Sequence, residues 1–229
     1  MKLLLTSAGI SNRSIHRALV ELLGKPIDQA SALFVPTAIY PFPGGTGRAR
    51  EAICGAAQSP LCGLGWRSLG VLELTALPSV KTESWIPELR ETDALLVWGG
   101  DVLYLYYWMR RSGLADLLPS LDLVYVGVSA GSIVVTAYNH DVEFDLGTVP
   151  EGSDRGQEEG DRAMGLVDFT LVPHLENEEF LPEHSVTGIQ EWATSVPVPT
   201  YAIDDQTAVT VVDGVVKVVS EGQWRLFAP

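Results

Sequence analysis

The stretch Val124-Tyr125-Val126-Gly127-Val128-Ser129-Ala130-Gly131-Ser132 decides the reading of this chain. It begins as an unbroken apolar run, the pattern of a strand buried on both faces. It then turns through a G-x-S-x-G spacing into Ile133 to Ala137, which is expected to continue as a helix. A serine where a strand reverses into a helix sits in strained backbone, and flanking glycines keep neighbouring side chains from clashing with the turn. Its hydroxyl then stands at the carboxyl end of the sheet, where open α/β folds bind ligands. The N–H groups opening the helix face any negative charge that develops there. Ser129 is therefore the candidate nucleophile. The competing reading is a packing turn in which Ser129 caps the helix. Ser132, one turn on, would direct its hydroxyl toward backbone.

Outward from this turn, apolar runs alternate with helical patterns, as in a mostly parallel sheet covered on both faces. Strands are expected at Lys2–Thr6, Ala32–Val35, Ser68–Leu74, Ala94–Trp98, Leu123–Val128 and Phe169–Val172. Helices are expected at Ser14–Leu23, about Arg48–Ala57, Ser84–Leu89, Val102–Ser112 and Glu183–Ala193. Tyr40 to Gly47 is rich in Pro and Gly and reads as a loop. The acidic, glycine-rich stretch from Pro150 to Ala163 reads as a mobile one. The tail is β-rich, and Asp213-Gly214 between Ala208–Val212 and Val215–Val219 signals a hairpin. With no repeat or linker, residues 1–229 are expected to form a single domain.

Composition narrows the function. Hydrophobic residues make up 46% of the 229 and charged residues 19%, a globular balance. A net charge of −14 argues against nucleic acid as a partner. Two cysteines, Cys54 and Cys62, are too few for a disulfide framework or a thiolate metal site. Cys54 falls on a helical apolar pattern and is expected to be buried. No run approaches the roughly 18 apolar residues that span a membrane, and Met1 to Thr6 reads as a strand, not a signal peptide. A cytoplasmic location, as a monomer or homodimer, is the default.

A serine hydroxyl needs a base. Of four histidines, His16 and His184 fall in helical patterns and His140 in a polar connection. His174 follows the run Phe169 to Pro173, at a strand's carboxyl edge level with Ser129. It is the candidate base. An acid that orients the imidazole could be Asp141, Glu143, Asp145, Glu176, Asp204 or Asp205. At the end of the preceding strand, Trp98-Gly99-Gly100-Asp101 brings an unobstructed backbone N–H toward Ser129. With the N–H of Ala130 it would form a two-donor oxyanion hole.

Trp98-Gly99-Gly100-Asp101, Gly127 to Ser132 and Gly165-Leu166-Val167-Asp168-Phe169 with Pro173-His174 resemble, in order and spacing, the dipeptidase E (peptidase E, α-aspartyl dipeptidase) family. The resemblance extends to Ala202 through Ala208. It implies a three-layer α/β sandwich of class I glutamine amidotransferase-like fold and a Ser–His–acid peptidase with Ser129, His174 and the Gly100 and Ala130 amides. It also implies an acid shortly past the nucleophile helix, which points to Glu143, with Asp141 second. Small peptides, among them those with N-terminal aspartate, are the implied substrates. No metal or organic cofactor is implied. A cation for an aspartyl side chain could come from Arg48, Arg50, Arg155 or Arg162. Two other readings remain open: a catalytically silent binding protein of the same fold, and an α/β-hydrolase-type esterase.

Overall fold

A computed structural model describes residues 1–58, 60–140, 163–177 and 184–229. Five apolar runs form a parallel block: β1 (Lys2–Thr6), β2 (Ser31–Val35), β3 (Ser68–Val71), β4 (Ala94–Val97) and β5 (Val124–Val128). After β6 (Thr170–Val172) and β7 (Thr200–Ile203) come β8 (Thr207–Val212) and β9 (Val215–Ser220), which extend the block antiparallel. The seven-stranded order is β3-β2-β4-β5-β1-β8-β9. A smaller sheet of order β10-β7-β6 uses β10 (Trp224–Phe227), with β6 and β7 parallel.

Strand alternation sends side chains to opposite faces of the large sheet, and each face has its own core. Leu4, Phe34, Leu96, Val126 and Val128 pack with Ile15 and Leu19 of α1 (Arg13–Leu23) and Ala49 and Ala52 of α2 (Gly45–Ile53). On the other face, Leu5, Val35, Val97 and Tyr125 meet Leu89 of α3 (Ile86–Glu91) and Leu105 and Met109 of α4 (Val102–Arg111). Leu114 of α5 (Leu114–Leu117) and Ile133 of α6 (Ala130–Ile133) join them, as do Leu171 and Ile203 of the small sheet. A final helix, α7 (Val186–Ala193), packs Ile189 against Val172 and Ala202. The layers are helix, sheet and helix, with the small sheet in the last of them.

Local chemistry explains the boundaries. Asn12 caps α1 by accepting from Ile15 N, and Gly24 ends it at φ 68°. Asp213 and Gly214, at φ 50° and 81°, give the two left-handed positions of a type I′ hairpin turn. Several expectations differ, among them the shorter β3, which ends at Val71 and not Leu74. Helix α2 starts at Gly45 rather than Arg48, because a first helical turn tolerates Gly and the Ile39 carbonyl leaves no room for a Cβ there. Helix α6 ends after one turn: Val134 to Thr136 instead accept backbone bonds from Met164, Leu166 and Gly165. That outcome suits an Ile-Val-Val-Thr run better than a helix does. Cys54 follows α2 as its exposed cap, and the buried cysteine is Cys62, whose thiol burial pushes up to about 12. Of the acidic stretch Pro150–Ala163, all but Ala163 lies outside the described residues. Among the described residues no helix is long and apolar enough to cross a membrane.

The turn after β5 is packed backbone against backbone. A Cβ on Gly131 would come 2.2 Å from the Val97 carbonyl oxygen, and one on Gly127 2.6 Å from that of Gly131. Gly131→Ala should therefore destabilise the protein by about 1–3 kcal/mol, measured as a lowered urea midpoint. An unchanged midpoint would mean that β4 and the turn do not press together as described.

Candidate active site

Ser129 ends β5 at φ 49° and ψ −114°, a conformation that side-chain-bearing residues rarely adopt. Several bonds hold it there. Ser129 N donates to the Thr6 carbonyl at 3.0 Å, and Ser132 N donates to the Ser129 carbonyl at 2.7 Å. Ser132, fully buried, spends its hydroxyl on the Thr6 carbonyl at 2.8 Å. Buried Tyr125 donates its phenol to the Gly131 carbonyl at 2.6 Å, and burial raises that phenol's pKa well above the ordinary value. The turn is thus fixed by its own strand, by β1 and by a phenol beneath it.

The imidazole arrives from the small sheet. His174 lies two residues past β6, at φ 59°, with Leu175 N bonded to the Ile203 carbonyl. Its Nε2 is 3.0 Å from Ser129 Oγ. Its Nδ1 is 2.8 Å from Oδ1 of Asp205, which lies two residues past the neighbouring parallel strand β7. An ionised carboxylate only accepts, so Nδ1 carries the hydrogen and Nε2 turns its lone pair to the Ser129 hydroxyl. Burial raises the Asp205 pKa, but bonds from His174, Ser7 and Asn177 outweigh it and bring the group down to about 2. The carboxylate therefore stays charged beside the ring.

Glu143, Asp141 and Asp145 lie outside the described residues, as do Arg155 and Arg162. Among the described acids, Glu176 is exposed and accepts from Val186 N at 2.8 Å, at the start of α7. Asp204 bonds Thr207 and the Gln206 and Gln223 amides, closing the turn before β8. Asp205 is thus the carboxylate that meets Nδ1 among the described residues. Arg48 and Arg50 are exposed on α2.

On the other side of Ser129 lies the turn after β4. A Cβ on Gly99 would be 3.2 Å from that of Ser129, so this backbone runs directly past the serine. Gly100 has φ 142°, and a Cβ there would strike the Ala38 carbonyl, which already accepts from Asp101 N at 2.8 Å. The Asp101 carboxylate caps α4 at Tyr104 N. Neither Gly100 N nor Ala130 N donates to backbone among the described residues. Because α6 is a single turn, it brings no long helix dipole to the site.

Ser7 carries a contact that the sequence did not single out. It follows β1, whose Thr6 pairs with Val128, so it lies one strand over from Ser129. The polar pair Thr6-Ser7 ending an apolar run was the available signal. Ser7 Oγ accepts from His174 N at 2.9 Å and donates to Asp205 Oδ1 at 2.5 Å. His184 is buried, and its Nδ1 donates to the Pro173 carbonyl at 2.7 Å, bracing the residue before His174. His140 packs edge-on against His184 and Trp192, and His16 is exposed. Among the described residues no three His, Cys, Asp or Glu side chains group as metal ligands would.

The model of peptidase family S51 matches residues 3–219. No curated protein sequence matches the chain. Among solved structures, a candidate peptidase E protein from Listeria monocytogenes EGD-e is similar at a TM-score of 0.61 and 21% identity, over 96% of this chain and 98% of that one. A peptidase from an acI-B1 Actinobacterium is similar at a TM-score of 0.64 and 15% identity, over 99% and 93%. At such identities the two structures speak to the fold, and the family match covers nearly the whole chain. The chain belongs to peptidase family S51 and is a serine peptidase.

Proposed function

We propose that the chain hydrolyses small peptides through an acyl-enzyme on Ser129, with dipeptides that begin with aspartate as the first substrates to test. The observation that carries this reading is the continuous contact from Ser129 Oγ to His174 Nε2 and from Nδ1 to Asp205. In the first step His174 takes the Ser129 proton as the oxygen attacks the peptide carbonyl. The Gly100 and Ala130 N–H groups receive the oxyanion, each such donor worth about 2.7–4 kcal/mol in a transition state. His174 then protonates the leaving amine, and a water, deprotonated by the same ring, releases the acyl group. Asp205 stays ionised, orients the ring and stabilises its charged form. An imidazole out of reach of Ser129 would favour the silent-binding alternative; the 3.0 Å contact favours the peptidase reading. The aspartate preference rests on the likeness to peptidase E; Asp205 as the orienting acid rests on its contact with Nδ1.

A dipeptide panel with Asp, Glu, Asn and neutral residues at the N-terminus tests the substrate class. Turnover should be greatest for Asp-X and fall at least about 10³-fold in Ser129→Ala. Unchanged turnover in that variant would remove Ser129 from the chemistry. Asp205→Asn should lower kcat by about 10²–10⁴-fold, whereas Glu143→Gln should stay within a few-fold of the unaltered enzyme; the reverse ranking would move the acid's role to Glu143.

Stability should report the same carboxylate. Asp205 is held at about 2, below its ordinary 3.8, so it favours the folded state above that ordinary value. The contribution disappears as the pH falls from about 4 toward 2. In urea titrations across that interval, Asp205→Asn should lose less stability than the unaltered chain. Parallel losses would show that the carboxylate is not stabilised by its partners.

A further inference from the structure

We infer that Ser7 is a positioning residue for the proposed reaction, its hydroxyl locking the His174 backbone and the Asp205 carboxylate into one unit. The inference rests on the reading of Ser129, His174 and Asp205 given above. Ser7 is fully buried. A serine hydroxyl has one hydrogen to give, and here it goes to Asp205 Oδ1, the same oxygen that meets His174 Nδ1. The oxygen in turn accepts the His174 N–H at 2.9 Å and lies 3.2 Å from Nδ1.

Two features make this more than a satisfied buried polar group. The first is strain. His174 occupies left-handed backbone at φ 59°, a conformation that persists only where surroundings over-determine it, and Ser7 binds its N–H. The second is topology. Strand β1 pairs on one side with β5, placing Thr6 beside Val128 just before Ser129. On its other side it pairs with β8, placing Thr6 beside Ala208 just after the Asp205 turn. Ser7 is therefore the residue at which the strand carrying the nucleophile and the loop carrying the acid are held in common register. Ser11 reinforces that loop, donating to the Asp205 carbonyl at 2.7 Å.

The Ser7 hydroxyl does not touch the reacting oxygen, so its loss should act through the imidazole. Ser7→Ala should lower kcat for the best dipeptide about 10–100-fold, as expected for a hydrogen bond to a charged group, with KM little changed. Labelling of Ser129 by a fluorophosphonate, mapped by peptide mass, should slow in parallel, and the urea midpoint should also fall, because the same hydroxyl helps hold the Asp205 carboxylate in the folded state. In proton NMR, the downfield resonance of the His174 Nδ1 hydrogen should move upfield or broaden. Wild-type labelling at Ser129 together with unchanged kcat and resonance in Ser7→Ala would overturn the role of Ser7 alone. Wild-type labelling at some other residue would overturn the parent reading, and the role of Ser7 with it.

Discussion

The site depends on a backbone-to-backbone contact between the end of β4 and the turn after β5. Gly131 lies against the Val97 carbonyl so closely that no side chain fits, and Gly127 is likewise too close to Gly131 to carry one. This contact permits Ser129 its unusual φ and ψ, lifting the hydroxyl off the sheet edge. It also draws the Gly99–Gly100 turn alongside Ser129. Conformational strain at one residue is tolerated because strands on both sides, buried on both faces, leave the turn nowhere to relax.

The second sheet supplies what the first lacks. A parallel pair delivers its carboxyl ends level with one another, and β6 and β7 use this to set His174 beside Asp205. Packing of Leu171 and Ile203 into the core of the large sheet carries that pair to Ser129. Asp205 is fixed twice over, by side-chain donors from Ser7 and Asn177 and through its own carbonyl by Ser11. A charged group so well supplied with donors keeps its proton off and its ring partner in one tautomer.

Much of this was legible in the sequence because the signals were local. The buried runs that became β1, β2, β4 and β5, the Asp213-Gly214 hairpin and the strand-end positions of Ser129 and His174 all follow from short-range patterns. What was not legible depended on pairing. The contact of Asp205, one of six candidate carboxylates, with His174 is of this kind, since nothing in the chain's linear order says that β7 lies beside β6. Ser7 is illegible in the sequence for the same reason, since its meaning comes from the register of β1 with β5 and β8. The helix expected to run on from Ile133 failed because Val134 to Thr136 found backbone partners thirty residues downstream, which outcompete a marginal helical propensity.

The most direct measurement is a crystal structure of the protein with a peptide aldehyde bound. The account predicts a covalent bond from Ser129 Oγ, with the former carbonyl oxygen about 2.7–3.1 Å from the Gly100 and Ala130 nitrogens and His174 still bonded to Asp205. An adduct on another residue, or an oxygen turned away from both amides, would contradict it.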